Sequence, residues 1–115
     1  MRSQRQYLQD IVEAMDAAES FAEGVTFDEL EGNLEKQYAL QRAFEIIGEA
    51  TKQINVDLRQ RHPEMPWADM AGMRDVIVHQ YFAVQLETVW TTIRDRFPSI
   101  RDELQHIVDK IASED

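Results

Sequence analysis

Asn33-Leu34-Glu35-Lys36-Gln37-Tyr38-Ala39-Leu40-Gln41-Arg42-Ala43-Phe44-Glu45-Ile46-Ile47-Gly48-Glu49-Ala50 decides the fold class. Asn33 is placed to cap a helix, because its side-chain oxygen can accept from the N–H groups that a first turn leaves unpaired. The spacing predicts one long helix from Leu34 to about Arg61, with Leu34, Tyr38, Phe44, Ile47, Ile54 and Leu58 along one side. Gly48 falls inside it. Glycine costs up to ~1 kcal/mol relative to alanine in a helix interior, so its presence points to close helix packing at that position.

The same pattern extends in both directions. Upstream, Ser3 can cap a helix in which Tyr7, Leu8, Ile11, Val12, Met15 and Phe21 recur at spacings of three and four, until Gly24 breaks it. Thr26 and Glu29 form a capping box for a short helix that stops at Gly32-Asn33. Downstream, His62-Pro63-Glu64-Met65-Pro66-Trp67 must be a connection, since two prolines within four residues forbid a continuing helix. Pro66 or Trp67 opens the next helix, and Phe82-Ala83-Val84 leads into one with Leu86, Val89, Trp90, Ile93 and Phe97 on one face. Pro98 suits the first turn of a last helix, striped by Ile100, Leu104, Ile107, Val108 and Ile111. No segment alternates for long and nothing repeats. The expected fold is all-α, an up-and-down bundle of four main helices plus short pieces, in one domain spanning 1–115.

Composition narrows the class. At 115 residues, of which 43% are hydrophobic, the chain can build one core. It has no cysteine, hence no disulfide framework and no thiolate zinc site. No apolar run approaches the ~20 residues needed to span a bilayer, and Met1–Gln6 lack the apolar region of a signal peptide. The expectation is a soluble cytoplasmic protein with no membrane association. Twenty-two acidic against 12 basic residues give a net charge of −10, which argues against a broad electrostatic nucleic-acid binder. From Glu13 to Glu35 the only charged residues are acidic, whereas Arg59, Arg61, Arg74, Arg94, Arg96 and Arg101 gather later. These are read first as solvated helix faces; the sharper alternative is an acidic half for a basic partner and arginines that face a phosphate-bearing ligand.

Chemistry concentrates in Met73-Arg74-Asp75-Val76-Ile77-Val78-His79-Gln80-Tyr81-Phe82. An arginine among apolar residues needs a partner or a task. Histidine gains or loses a proton near neutral pH. Together they suit metal-free cleavage of an RNA phosphodiester, with His79 as general acid or base and Arg74 clamping the phosphate through its planar fork. Asp75 is the supporting residue, able to orient either by a hydrogen bond. At ~100° per residue Arg74 and Tyr81 share a helix face, while His79 points ~140° from Arg74. Either the helix ends near His79, or Arg74 and His79 from two chains meet across a two-fold interface. The competing structural explanation is that Arg74 pairs with an acid and His79 is a satisfied interior histidine.

The ordered set Arg74-x4-His79-x-Tyr81 resembles the signature of the HEPN-fold toxins called HepT. Phe44-Glu45-Ile46-Ile47-Gly48-Glu49-Ala50, Pro63-Glu64-Met65-Pro66-Trp67, Ala71-Gly72-Met73 and Val89-Trp90 are similar to that family's flanking segments. The likeness runs from about Tyr7 to Leu104. It implies a homodimeric, all-α RNA endonuclease that cuts without metal or other cofactor, using Arg74 and His79, with Asp75 at a position usually held by Asn, Asp or His. It also implies a partner, an MntA-like minimal nucleotidyltransferase antitoxin that adenylylates Tyr81 and so neutralises the toxin. The alternative it leaves is a non-catalytic HEPN binding module, acting as docking subunit or substrate of a nucleotidyltransferase. Two other features carry less. Glu103-Leu104-Gln105-His106 is a single Glu-x-x-His where a di-iron bundle needs two, and His62 is expected at the surface, near Arg59 and Arg61.

Overall fold

A computed structural model describes residues 2–78 and 85–114. In chain order it contains α1 (Gln4–Ala22), α2 (Phe27–Glu31), α3 (Leu34–Lys52), α4 (Val56–Arg61), α5 (Trp67–Val78), α6 (Leu86–Thr91), a π-helical turn (Thr92–Arg96) and α7 (Phe97–Glu114). No strand occurs among the described residues. Thr91 and Phe97, on either side of the π turn, keep right-handed helical backbone angles, so α6, the π turn and α7 run on as one long helix. The bundle therefore has four long elements, with α2 and α4 as short pieces.

Helix starts follow the caps. Ser3 Oγ accepts from the Gln6 N–H while the Gln6 side chain accepts from the Ser3 N–H, a complete capping box. Thr26 accepts from the Glu29 N–H and Asn33 from the Lys36 N–H. Gly24 ends the first pattern with a φ of 71°, a left-handed conformation that side chains other than glycine's resist.

The helix expected to reach Arg61 instead stops at Lys52 and restarts at Val56. Two polar side chains hold the break. Gln4 of α1 donates to the Gln53 carbonyl at 3.0 Å and accepts from the Asn55 N–H at 2.7 Å. Arg59 donates to the carbonyls of Thr51 and Ile54, at 2.6 and 3.1 Å, so the carbonyls freed at the end of α3 find a partner. Asn55 then caps α4 by accepting from the Leu58 N–H, and the break buries Ile54.

The apolar face of α3 also differs from expectation. Leu34 and Tyr38 are each 59% exposed, whereas Leu40, Ala43, Phe44 and Ile47 are buried. At ~100° per residue Leu34 and Tyr38 lie roughly 140° and 180° from Ile47, so they face outward. The other stripes hold except at Phe21, expected on the buried side of α1 but 36% exposed near that helix's end. Leu8, Ile11, Val12 and Met15 of α1 meet Leu86, Val89 and Ile93 of α6 and the π turn, and Ile100, Leu104, Ile107 and Val108 of α7, in a single core.

Packing is antiparallel where end contacts show it. Gln4 meets Gln53 at one end of the α1–α3 pair, and Lys36 donates to the Phe21 carbonyl at the other. Arg101 of α7 grips Glu19 and Asp16 near the end of α1 and also its neighbour Asp102. Burial works against the Arg101 charge, but the carboxylates of Glu19, Asp102 and Asp16 outweigh it and hold its pKa above the ordinary value.

Proline is accommodated rather than used as a break. A straight α-helix would press the Pro98 ring against the carbonyl four residues back. The wider π turn relieves this, with the Phe97 N–H reaching the Thr92 carbonyl five residues back.

Two helices meet backbone to backbone at Gly48. A Cβ there would lie 2.5 Å from Arg74 N and 2.6 Å from Arg74 Cβ. Glycine is what lets the α3 and α5 backbones touch. By contrast, a Cβ on Gly72 of α5 would meet nothing within 4 Å. Opposite outcomes are expected. Gly48→Ala should lose about 1–3 kcal/mol in urea unfolding despite alanine's better helix propensity, because backbone must move. Gly72→Ala should gain about 0.5–1 kcal/mol.

Candidate functional site

Arg74 sits on α5 where that helix crosses Gly48, and its side chain reaches over α3. Its Nε–H donates to Glu49 Oε1 at 3.1 Å, a contact across 25 positions of sequence. One turn further along α3, Lys52 Nζ lies 3.7 Å from Asp75 Oδ1. Two neighbouring charges on α5 are thus matched by two on α3. Both pairs are solvent-facing, with Arg74 at 41% and Asp75 at 59% side-chain exposure.

Arg74, Glu49 and Lys52 line one side of an open groove of about 710 Å³. The other wall comes from the start of the chain: Arg2, Tyr7 and Asp10. Arg2 is ion-paired with Asp10, and its guanidinium lies over the Tyr7 ring, 5.4 Å from the centroid. Ile46, Ala50 and Gln53 complete the lining. The groove holds Arg2, Lys52 and Arg74 against Asp10 and Glu49, with Asp75 beside it. It therefore lacks a dense positive field, and any phosphate it takes must be held by directed contacts.

The flank of α5 facing α6 carries a smaller cleft of about 260 Å³, lined by Ala68, Asp69, Gly72 and Met73 of α5 and by Gln85, Thr88, Thr92 and Arg96 beyond it. Arg96 reaches Asp69 there at 3.4 Å.

The later arginines do not gather in space as they do in sequence. Arg59 is spent on carbonyls, Arg101 on carboxylates and Arg96 on Asp69, while Arg94 lies over the Trp90 ring at 5.2 Å. Arg74 alone of that set lines the groove. The acidic stretch is likewise partly answered from within, since Asp16 and Glu19 bind Arg101.

Of the residues singled out by sequence, Arg74 and Asp75 are placed together at the end of α5. His79 and Tyr81 lie outside the described residues. Asp75 faces Lys52, and the carboxylate that engages Arg74 is Glu49, which the sequence reading passed over. A signal was present: a helix-interior glycine marks a close approach, and the residue beside it faces what approaches. Arg2 and Tyr7 carried no such mark, being brought in by the fold. His62, expected at the surface, is only 16% exposed in its side chain; it lies 3.6 Å from Glu64 and lines a cavity against Ile107, Lys110 and Ile111 of α7. Its carbonyl accepts from the Trp67 indole N–H, which ties the connection to the start of α5.

Comparison with known proteins gives this arrangement a family. The chain matches the family described as "Ribonuclease HepT-like" over residues 11–107. It belongs to that family. It is 40% identical over 106 residues to a probable ribonuclease HepT of Thermococcus cleftensis, covering 92% of this chain and 96% of that protein. A putative RNase of Methanocaldococcus jannaschii is 39% identical over 114 residues, covering 99% of this chain and 94% of the other. One from Caldanaerobacter subterraneus is 32% identical over 110 residues, covering 96% and 98%. No solved structure matches. The HepT-like chain thus spans almost the full length of each of these relatives.

The exposed cross-links on α5 are expected to orient side chains rather than hold the fold. Lys52→Ala and Asp75→Ala should each change the unfolding free energy by less than about 0.5 kcal/mol in chemical denaturation, as solvent-screened pairs do.

Proposed function

We propose that this HepT-like protein is a metal-independent RNA endonuclease and the toxin of a toxin–antitoxin pair. The observation that carries the reading is Arg74: the motif arginine stands at an open groove, half exposed, in a family of ribonucleases. RNA supplies its own nucleophile. Acting as general base, His79 takes the proton of the ribose 2′-hydroxyl, the 2′-oxygen attacks phosphorus, and the bond to the 5′-oxygen breaks. A proton delivered to that leaving oxygen completes the step, giving a 2′,3′-cyclic phosphate and a 5′-hydroxyl. Arg74 holds the phosphate oxygens and stabilises the charge that builds on them.

Arg74 and Tyr81, seven residues apart, share a face if the helix continues, and transfer of AMP to the Tyr81 oxygen would set a nucleotide phosphate against the arginine. The partner in this reading is a minimal nucleotidyltransferase, and the active form is a homodimer in which two chains complete each site. Asp75 supports the motif from beside Arg74.

The acidic composition favours one rival, a non-catalytic module that serves as docking subunit or substrate of the nucleotidyltransferase. Cleavage separates the two. Wild type should cut single-stranded RNA, whereas Arg74→Ala and His79→Ala should each fall by about 10²–10⁴-fold, the range for losing a charge-stabilising or proton-transfer group. Equal rates in all three would leave only the binding module. In cells that express the partner, Tyr81→Phe should remain toxic and should show no added AMP by mass spectrometry; AMP found elsewhere on that variant would refute the Tyr81 assignment.

A further inference from the structure

We infer that Glu49 is a positioning residue for RNA cleavage, holding the Arg74 guanidinium so that its outer fork meets the scissile phosphate. The inference rests on the proposed function and extends it to a residue of another helix.

Three observations carry it. First, the contact is made through the arginine's Nε–H, at 3.1 Å to Glu49 Oε1. The Nη1 and Nη2 groups make no hydrogen bond among the described residues, and theirs is the end of the guanidinium that can grip two phosphate oxygens side by side. A carboxylate that blocked the site would be expected on that fork. This one holds the stem.

Second, the geometry is fixed at the backbone. Glu49 follows Gly48, against which the Arg74 backbone is packed so closely that a Cβ would lie 2.5 Å from its nitrogen. The distance between the Cα atoms of Glu49 and Arg74 thus has little freedom. A long side chain anchored to a fixed point near its end loses most of its rotamers before substrate arrives, which is the entropy a positioned catalytic group must lose in any case.

Third, the pair is exposed, with side-chain accessibilities of 41% for Arg74 and 50% for Glu49. Screened by water, it adds little to folding. Its main effect is on where the guanidinium points.

The test measures steady-state and single-turnover cleavage of one RNA by wild type, Glu49→Ala, Glu49→Gln, Arg74→Ala and the Glu49→Ala/Arg74→Ala double variant, each checked for wild-type circular dichroism. Glu49→Ala should lower kcat by about 10- to 100-fold, the cost of a misplaced group. Its KM should move less than about threefold, because the lost contact matters most in the transition state. Glu49→Gln keeps an oxygen that can accept from Nε–H and should recover much of the loss. In the Arg74→Ala background, removing Glu49 should cost nothing more. Glu49→Ala with wild-type or higher activity, or a loss that adds fully to that of Arg74→Ala, would overturn the inference while leaving the cleavage reading intact. An inert wild type would remove both.

Discussion

The touching backbones of α3 and α5 at Gly48 are the constraint on which the rest of the structure depends. Side chains usually hold helix axes about 8–10 Å apart. Removing a Cβ at one position lets Arg74 come in over the neighbouring helix rather than beside it. From there the motif arginine can reach Glu49, and Asp75 can reach Lys52. The two cross-links stand one turn apart on α3, so the segment with Arg74 and Asp75 inherits its orientation from a backbone contact instead of from flexible side chains.

Charge is handled by the same economy. A chain with a net charge of −10 that acts on RNA cannot rely on a broad positive surface to gather its substrate. The structure makes this sharper, because most of its arginines are committed internally: Arg59 satisfies the end of α3, Arg101 joins α1 to α7, and Arg96 joins the π turn to α5. The groove at Arg74 has carboxylates among its cations. Selectivity in such a site comes from placement. A few donors, aimed in advance, must do what a charged patch does elsewhere, and long-range attraction contributes little to either the affinity or the speed of encounter.

Much of the fold could be read from the sequence because its causes are local. Ser3, Thr26 and Asn33 each cap the helix they precede, and the stripes of α1, α6 and α7, apart from the exposed Phe21, pack into or against the core as their spacing predicts. What escaped had distant causes. Neither glycine nor proline lies between Thr51 and Val56, and the one local signal is Asn55, which caps α4; the interruption depends as well on Gln4, some fifty residues earlier, and on Arg59 folding back. Leu34 and Tyr38 were misassigned because apolar character was allowed to outweigh helical phase. The site divides likewise. Arg74 and Asp75 were legible as part of a compact motif, while Glu49, Arg2 and Tyr7 arrive from other helices and only Glu49 had a neighbour, Gly48, that hinted at its place.

The two kinds of constraint that meet at Gly48 should leave different traces in evolution. Arg74 and Glu49 are exposed and, in the proposed mechanism, serve the chemistry, whereas Gly48 is buried and matters for the approach of two helices. A lineage that kept the bundle for docking but abandoned cleavage would be free to change the arginine and the glutamate, in either order, at little cost to the fold. It would not be free to change the glycine. Under the proposed mechanism, descendants that retain the glycine beside a substituted glutamate and arginine would therefore be recognisable as retired nucleases.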